Sequence, residues 1–250
     1  MKGLFQKIPK VVLFLATNEK AGRDKLQGIL RYVRLHTPWQ LHLVENRIGE
    51  QQLGDLRAWG ATGVIVARMP ASIQAVKDAG VPTVVLDSPA LYREALPRAS
   101  YVTCDSDAVG GAAAEFLLRQ GFKEFAYVPD VAAWDWSARR GQAYAARVRA
   151  GGGRCVVYGG GGAAGATDWA SEQRRLAAWL LALPRPCAVF AVHDGRARQV
   201  VETALAAGLD VPGEIAVLGV DNEEILCENC EPTLSSVQPD FAEEIGRAHV

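Results

Sequence analysis

Short apolar runs alternate with segments of helical periodicity along the first part of the chain. The run KVVLFL at 10–15 predicts a buried strand, and the segment 22–36 that follows has apolar residues at helical spacing, namely Leu26, Ile29, Leu30 and Val33. The alternation continues with strands predicted at 39–45, 63–67 and 81–87, and with helices at 51–59 and 71–79. Strands that alternate with helices predict a parallel sheet with helices on both faces.

The same pattern begins again after 89–100, which contains Pro97, has no clear period and is predicted to be a loop. Strands are predicted at 101–104, 124–128, 155–158, 187–192 and 215–220, and helices at 108–120, 137–150, 168–182 and 195–207. Trp134 and Trp136 are assigned to a loop. The fold class is therefore α/β, with two doubly wound parallel-sheet lobes around a ligand cleft. We expect an N-terminal lobe at 1–104, a C-terminal lobe at 105–238, and at 239–250 the start of a crossover back to the first lobe.

The clearest transition from apolar to polar residues follows the predicted strand 215–220. Asp221 comes at its carboxyl end, and Gly219 is expected to let the backbone turn there. Ligands of open parallel sheets bind at this edge, so Asp221 is a candidate ligand residue. The alternative, that Asp221 caps the helix that follows, stays open on this stretch alone.

Polar residues recur at other predicted strand ends and helix starts. Carboxylate and guanidinium groups suit adjacent hydroxyls, and an aromatic face suits an apolar sugar face, so the set predicts a small polyhydroxy ligand. Each single member has a cap or a salt bridge as its alternative explanation. The set comprises Thr17, Asn18, Glu19, Arg23, Asp87, Ser88 and Asp105 in the first lobe, and Trp134, Trp136, Ser137, Arg140, His193, Asp194, Asp221 and Asn222 in the second.

The amino-acid composition of the chain argues against two classes of function, nucleic-acid binding and membrane insertion. With 22% charged residues, 49% hydrophobic residues and a net charge of -1, the chain has no basic run of the kind that binds nucleic acid. It has no apolar stretch of membrane-span length and no signal-peptide pattern, so we expect a cytoplasmic protein without a membrane partner. A helix predicted from Phe241 is interrupted by the end of the chain, which indicates a fragment. Whether Glu244–Val250 belong to the natural protein is left open.

No catalytic, metal or cofactor site is expected. The run Gly160–Gly165 matches a dinucleotide-binding spacing, but its Gly and Ala richness satisfies that spacing by composition, and no acidic residue ends the next strand. Cys227 and Cys230 form a C-x-x-C without a second ligand pair. His193 and Asp194 are adjacent on a predicted strand, so their side chains are expected to point to opposite faces.

Five segments together resemble the sugar-binding half of lactose-repressor-type regulators, which have the periplasmic-binding-protein-like type I fold. Within that group the chain is most similar to the xylose-operon regulators. The segments are TNEKAGRDKLQGI at 17–29, DSDAVGGAAAEFL at 105–117, WSARRGQAY at 136–144, AVHDGRARQV at 191–200, and VLGVDNEE at 217–224 followed by PTLSSV at 232–237.

The resemblance implies the effector domain of a transcription regulator that binds xylose or a similar pentose, with Asp221 and Asp194 as sugar-contacting carboxylates and with Arg140 and Arg23 reaching the same cleft. It also implies a homodimer and a DNA-binding domain after Val250. Ala21 stands where relatives commonly have an aromatic residue, so a stacking surface is missing and Trp134 or Trp136 is a candidate to supply it. Ser106 stands where relatives commonly have an asparagine. A sugar-binding protein of a transport system and an NAD-dependent enzyme remain the alternatives.

Overall fold

The chain divides into two compact units. The computed structural model describes residues 8–44, 56–67, 73–87, 92–132, 134–159 and 168–242. Unit 1 is Met1–Cys104 together with Asp240–Val250, and unit 2 is Asp105–Pro239. Within the described ranges, no helix has the length and apolar character that crossing a membrane requires.

Unit 1 is a parallel sheet of five strands in the order β2-β1-β3-β4-β5. The chain adds β2 on one side of β1 and all later strands on the other side, so the order reverses between β1 and β3. The elements in sequence are β1 (Lys10–Phe14), α1 (Lys20–Leu35), β2 (Gln40–Val44), α2 (Leu56–Trp59), β3 (Gly63–Ala67), α3 (Ile73–Ala79), β4 (Thr83–Leu86) and β5 (Ser100–Val102).

Both faces of the unit 1 sheet are covered by apolar side chains. Val12 and Phe14 of β1 pack into one core, and Leu13 packs into the core on the opposite face. All three side chains are fully buried, as successive residues of a strand covered on both sides must be. This is the physical reason that the strand reads as a continuous apolar run.

Unit 2 is a second parallel sheet of five strands, in the order β10-β9-β8-β6-β7. The order reverses between β6 and β8. The elements are α4 (Ser106–Arg119), β6 (Glu124–Val128), α5 (Asp135–Ala150), β7 (Arg154–Val157), α6 (Trp169–Leu181), β8 (Cys187–Ala191), α7 (Asp194–Ala206), β9 (Ile215–Val220), α8 (Glu224–Glu228) and β10 (Ser235–Val237).

The central strand β8 is buried along its whole length. Val189 packs in an aliphatic core, whereas Phe190, on the opposite face, joins an aromatic group with Tyr127 and Tyr144. The ring centroids of Tyr144 and Phe190 are 4.8 Å apart. The predicted α/β fold with two doubly wound parallel sheets is thus confirmed, and the predicted ligand cleft between the lobes stays a prediction.

One local prediction about the secondary structure needs correction. Trp136 lies in helix α5, not in a loop, because Trp134 occupies the N-cap position and Asp135 supplies a carboxylate in the first turn. The short strand β10 was not predicted, since it has three residues and two of them are serines. Gly160–Gly165, Ser88 and Glu244–Val250 lie outside the described residues.

Candidate functional site

Arg140 brings a buried guanidinium group to the carboxyl edge of the unit 2 sheet. It lies on α5, is 3% exposed, and donates from Nη1 to the carbonyl oxygen of Val192, which follows β8. Its Nε has no hydrogen-bond partner among the described residues. A buried charge is stable only when it is paired or well hydrogen-bonded, so an Nε without an acceptor is costly to the folded protein.

Trp136 lies one turn before Arg140 on the same helix. The Cζ atom of Arg140 is 5.2 Å from the centroid of the Trp136 ring, a cation-π distance. The indole Nε1 is buried, and the described residues supply no acceptor for it. The guanidinium thus lies over one ring face, and the indole N–H is a buried donor without an acceptor in the described part of the chain.

Asp221 and Asn222 form a turn of unusual backbone geometry at the end of β9. Their φ angles are 102° and 51°, a region that costs a residue with a Cβ on the order of 1 kcal/mol or more. The turn is held by hydrogen bonds from Asp221 N to Val237 O at 2.9 Å and from Asn222 N to Ser236 Oγ at 2.9 Å. Strain of this kind is concentrated at functional sites.

The capping alternative for Asp221 is wrong. The N-cap of the helix that follows, α8, is Glu223, and its side chain makes no capping hydrogen bond. Asp221 is instead partly exposed at the strand end. Asp221 is therefore not the N-cap of α8, and its contact with a ligand stays a prediction.

The buried carboxylate of Asp194 holds the turn of Asp221 and Asn222 by hydrogen bonds. The residue is 1% exposed, and its carboxylate accepts hydrogen bonds from Glu223 N at 2.7 Å, Ser236 Oγ at 2.6 Å and Cys227 Sγ at 3.5 Å. Burial raises the pKa of this carboxyl group, and the hydrogen bonds from Ser236 and Glu223 oppose that increase. Both carboxylate oxygens of Asp194 accept hydrogen bonds from the protein, so the residue is placed to hold this turn, and its predicted contact with a sugar stays a prediction.

Gly219 makes room for the Asp194 side chain. It lies within β9, so the expectation that it turns the backbone is wrong. A Cβ at this position would overlap Asp194 Oδ1 and would lie 3.2 Å from the Cβ of Ala197. The glycine is therefore required by close packing between β9 and the start of α7.

His193 caps α7, and the cap determines its tautomer. Nδ1 accepts a hydrogen bond from Arg196 N at 3.0 Å, so the proton of the neutral ring lies on Nε2, which is 3.2 Å from Asp130 Oδ2. His193 and Asp194 thus face different partners, as expected. The strand ends at Ala191, however, so the reason is the start of the helix and not strand alternation.

Two predicted ligand residues have structural partners. Asp105 is exposed and caps α4, accepting from Ala108 N at 2.9 Å. Ser137 is 2% exposed, and its hydroxyl accepts from Asp130 N at 3.2 Å. Its carbonyl oxygen also accepts from Tyr127 OH at 2.7 Å. These contacts fix the loop after β6 against α5.

In unit 1, Asn18 is exposed in the turn after β1, and Arg23 Nη1 donates to Thr17 O at 3.4 Å. The structure thus places both predicted residues at the carboxyl end of β1. Sequence reasoning did not identify Lys25, which is 5% exposed and pairs with Asp87, a residue with a φ angle of 66° directly after β4.

Sequence reasoning also did not single out Ser106. The residue is 1% exposed, and its hydroxyl has no hydrogen-bond partner in the described part of the chain. The available signal was its departure from the asparagine that the resemblance leads one to expect after Asp105, and no consequence was drawn from that departure. Its burial on α4 depends on helix packing that a single sequence does not display.

The thiols do not suggest metal or redox chemistry. No group of three or more potential ligands is assembled among the described histidine, cysteine, aspartate and glutamate residues. Burial, with a further contribution from the Asp194 carboxylate, raises the pKa of the Cys227 thiol to about 12. Such a thiol is protonated and unreactive near neutral pH.

Residues 114–250 match the periplasmic binding protein-like domain family. The chain is 29% identical over 238 residues to the xylose operon regulatory protein of Escherichia coli (strain K12), covering 94% of this chain and 60% of that protein. It is 25% identical over 233 residues to the protein of the same name from Haemophilus influenzae (strain ATCC 51907 / DSM 11121 / KW20 / Rd), covering 92% and 59%. The chain thus spans about three fifths of the length of these curated relatives.

Solved structures agree with this assignment. The xylose-binding transcription activator xylR superposes with a TM-score of 0.76 at 27% identity, covering 98% of this chain and 62% of that one. The transcriptional regulator CelR in complex with cellobiose gives a TM-score of 0.71 at 22% identity, covering 94% and 74%, and this likeness shows the fold alone. By its matched residues and its two parallel sheets, the chain belongs to the periplasmic binding protein-like domain family.

Proposed function

We propose that the chain is the effector-binding part of a sugar-responsive transcription regulator, and that the carboxyl edge of the unit 2 sheet contributes to its sugar site. The observation that carries this proposal is Arg140, a 3% exposed guanidinium whose Nε has no acceptor among the described residues. A buried cation with an unused donor is costly to the folded protein unless a ligand completes it.

The chemistry of the neighbouring groups suits a neutral polyhydroxy ligand. Arg140 Nε and Trp136 Nε1 can only donate, whereas the carboxylate of Asp221 can only accept when it is ionised. A sugar presents hydroxyl groups that both donate and accept, so it can satisfy both kinds of group. Asp194 acts through Asp221, since it holds the turn by accepting from Glu223 N at 2.7 Å.

We propose xylose or a similar pentose as the ligand. The supporting observation is that the curated relatives are named xylose operon regulatory proteins and the similar solved structure is called a xylose-binding transcription activator. Asn18 and Arg23 of unit 1 are proposed as further ligand contacts. Asp105 and Ser137 are proposed to shape the site through the cap of α4 and the loop after β6.

Regulation follows from differential affinity. A sugar changes the state of a regulator only to the extent that it binds one conformation more tightly than another. In this proposal the output is a DNA-binding domain outside residues 1–250, in a homodimer. No enzymatic step is part of the proposal.

The experiment is isothermal calorimetry and thermal shift with a panel of D-xylose, L-arabinose, D-ribose and D-glucose, and with NAD as a cofactor control. We expect D-xylose to bind and to raise the melting temperature. A response to NAD alone, or to none of the sugars, would exclude the proposal.

A matched pair of variants tests the residue assignment. Arg140→Met should reduce sugar affinity by roughly a hundredfold, the value of a lost charge-assisted hydrogen bond in a buried site. Arg139→Met is the control, because Arg139 is the next residue on α5 and its side chain is 55% exposed in an ion pair with Asp107. Equal affinities of the two variants would contradict the role of Arg140.

A further inference from the structure

Helices α4 and α5 pack in parallel, with their N-termini at the same end. Asp107 pairs with Arg139 at 2.6 Å, and Glu115 pairs with Arg147 at 2.7 Å. Because residue numbers rise together in the two contacts, the helices run in the same direction. The two N-terminal turns therefore face each other.

Gly110 allows the close approach at the centre of this contact. A Cβ on Gly110 would overlap the carbonyl oxygen of Arg140 and would lie 3.0 Å from Tyr144 N. One turn toward the N-terminus, Ser106 occupies the position above Gly110 on α4, and Trp136 occupies the position above Arg140 on α5. The packing thus directs Ser106 toward the turn that carries Trp136.

Three buried polar groups without a partner among the described residues belong to this N-terminal part of the α4–α5 contact: Ser106 Oγ, Trp136 Nε1 and Arg140 Nε. Ser106 is 1% exposed and Arg140 is 3% exposed. Buried polar groups in native proteins nearly always have partners, so three such groups together indicate a binding position. The indole and the guanidinium can only donate, whereas the serine hydroxyl can also accept.

This combination matches one hydroxyl group of a ligand. A hydroxyl oxygen accepts two hydrogen bonds and its proton makes one. We infer that Ser106 is a ligand-binding residue: one sugar hydroxyl donates to Ser106 Oγ and accepts from Trp136 Nε1 and Arg140 Nε. The inference rests on the proposed sugar-binding function and extends it to a residue of α4 and to a defined set of three hydrogen bonds.

The alternative is a structural role for Ser106, in which its hydroxyl holds a buried water molecule. The two roles predict opposite effects of Ser106→Ala. If the hydroxyl serves the ligand, it is unsatisfied in the sugar-free protein, and its removal raises the melting temperature by about 2–4 °C. If the hydroxyl holds a structural water, its removal lowers that temperature and leaves sugar affinity unchanged.

The test measures binding of D-xylose and of its monodeoxy analogues to the wild-type chain, to Ser106→Ala and to Ser171→Ala. Ser171 is the control because its hydroxyl, on α6, interacts with Asp168 and Arg174. We expect Ser106→Ala to bind D-xylose roughly tenfold more weakly, the value of one neutral hydrogen bond. The analogue that lacks the hydroxyl bound by Ser106 should bind wild type and Ser106→Ala with equal affinity. Ser171→Ala should bind D-xylose and every analogue with the affinity of wild type.

Three results would overturn the inference, and they are distinguishable. If wild type binds D-xylose and Ser106→Ala binds it equally well, the role of Ser106 is refuted and the proposed function stands. If wild type binds every deoxy analogue more tightly than Ser106→Ala does, and by the same factor each time, Ser106 contacts no single hydroxyl. A wild-type chain that binds no sugar would remove the proposed function together with this inference.

Discussion

The carboxylate of Asp194 accepts a hydrogen bond from the backbone N–H of Glu223 at 2.7 Å, and this contact ties the first turn of α7 to the turn that carries Asp221. Asp194 also accepts from Ser236 Oγ at 2.6 Å, so one buried side chain at the start of α7 connects the turn after β9 with strand β10. Two acidic residues that look equivalent in the sequence therefore have different roles. Asp194 organises the turn, and Asp221 is the one presented at its surface.

Asp221→Gly separates ligand contact from folding. The φ angle of Asp221 is 102°, which glycine adopts without steric strain. We expect unfolding free energy to be unchanged or higher by about 1 kcal/mol, while sugar binding is lost in calorimetry. Asp221→Ala is a poorer test because alanine keeps the strained backbone. Normal sugar affinity in Asp221→Gly would show that the carboxylate makes no essential contact.

Two adjacent glycines of α4 should respond oppositely to alanine. Gly110→Ala places a methyl group against the backbone of Arg140, so we expect a loss of about 1–3 kcal/mol in unfolding free energy and weaker sugar binding. Gly111→Ala places its methyl group in open space and should stabilise the helix by about 0.5–1 kcal/mol. Urea denaturation of both variants measures the difference. Equal effects would contradict the close contact of α4 with α5.

The buried ion pair of unit 2 should matter far more than the exposed one that shares its carboxylate. Glu172 pairs with Arg196 at 2.6 Å, where both side chains are under one tenth exposed, and with Arg175 at 2.7 Å, whose side chain is 46% exposed. Removing one partner of a buried pair costs about 3–5 kcal/mol, whereas an exposed pair contributes about 0–1 kcal/mol. We therefore expect Arg196→Ala to lower the melting temperature strongly and Arg175→Ala to leave it nearly unchanged.

Asp194 should make stability fall with rising pH over a defined window. Burial raises its pKa above the ordinary value of 3.8, although hydrogen bonds from Ser236 and Glu223 oppose the increase. The folded chain therefore binds this proton more tightly than the unfolded chain does. The stabilisation from Asp194 is complete below 3.8 and is lost as the pH rises through the raised folded value.

The measurement is the unfolding free energy of wild type and Asp194→Asn between about pH 3.5 and pH 7. Other carboxyl groups titrate in both proteins, so the difference between the two curves isolates Asp194. We expect wild type to lose stability relative to Asp194→Asn as the pH rises. Parallel curves would contradict a raised pKa at this residue.

The sequence by itself determined the α/β fold and the strands that are covered on both faces. The segments 63–67, 124–128 and 215–220 were predicted with the bounds that the structure has. The physical reason is that a strand buried on two sides must be apolar at every position, and such a run is visible without neighbours. It also placed the polar residues at strand ends, because parallel strands bring their carboxyl ends to one edge.

Only the tertiary structure decided what each polar residue does. Asp194 accepts from donors that lie 29 and 42 residues away in the chain, whereas Asp221 is partly exposed at the end of β9, and neither environment can be read from the local sequence. The unsatisfied hydroxyl of Ser106 likewise depends on the packing of α4 against α5. Whether a polar group is hydrogen-bonded depends on the neighbours that folding brings to it, and the local sequence pattern does not show those neighbours.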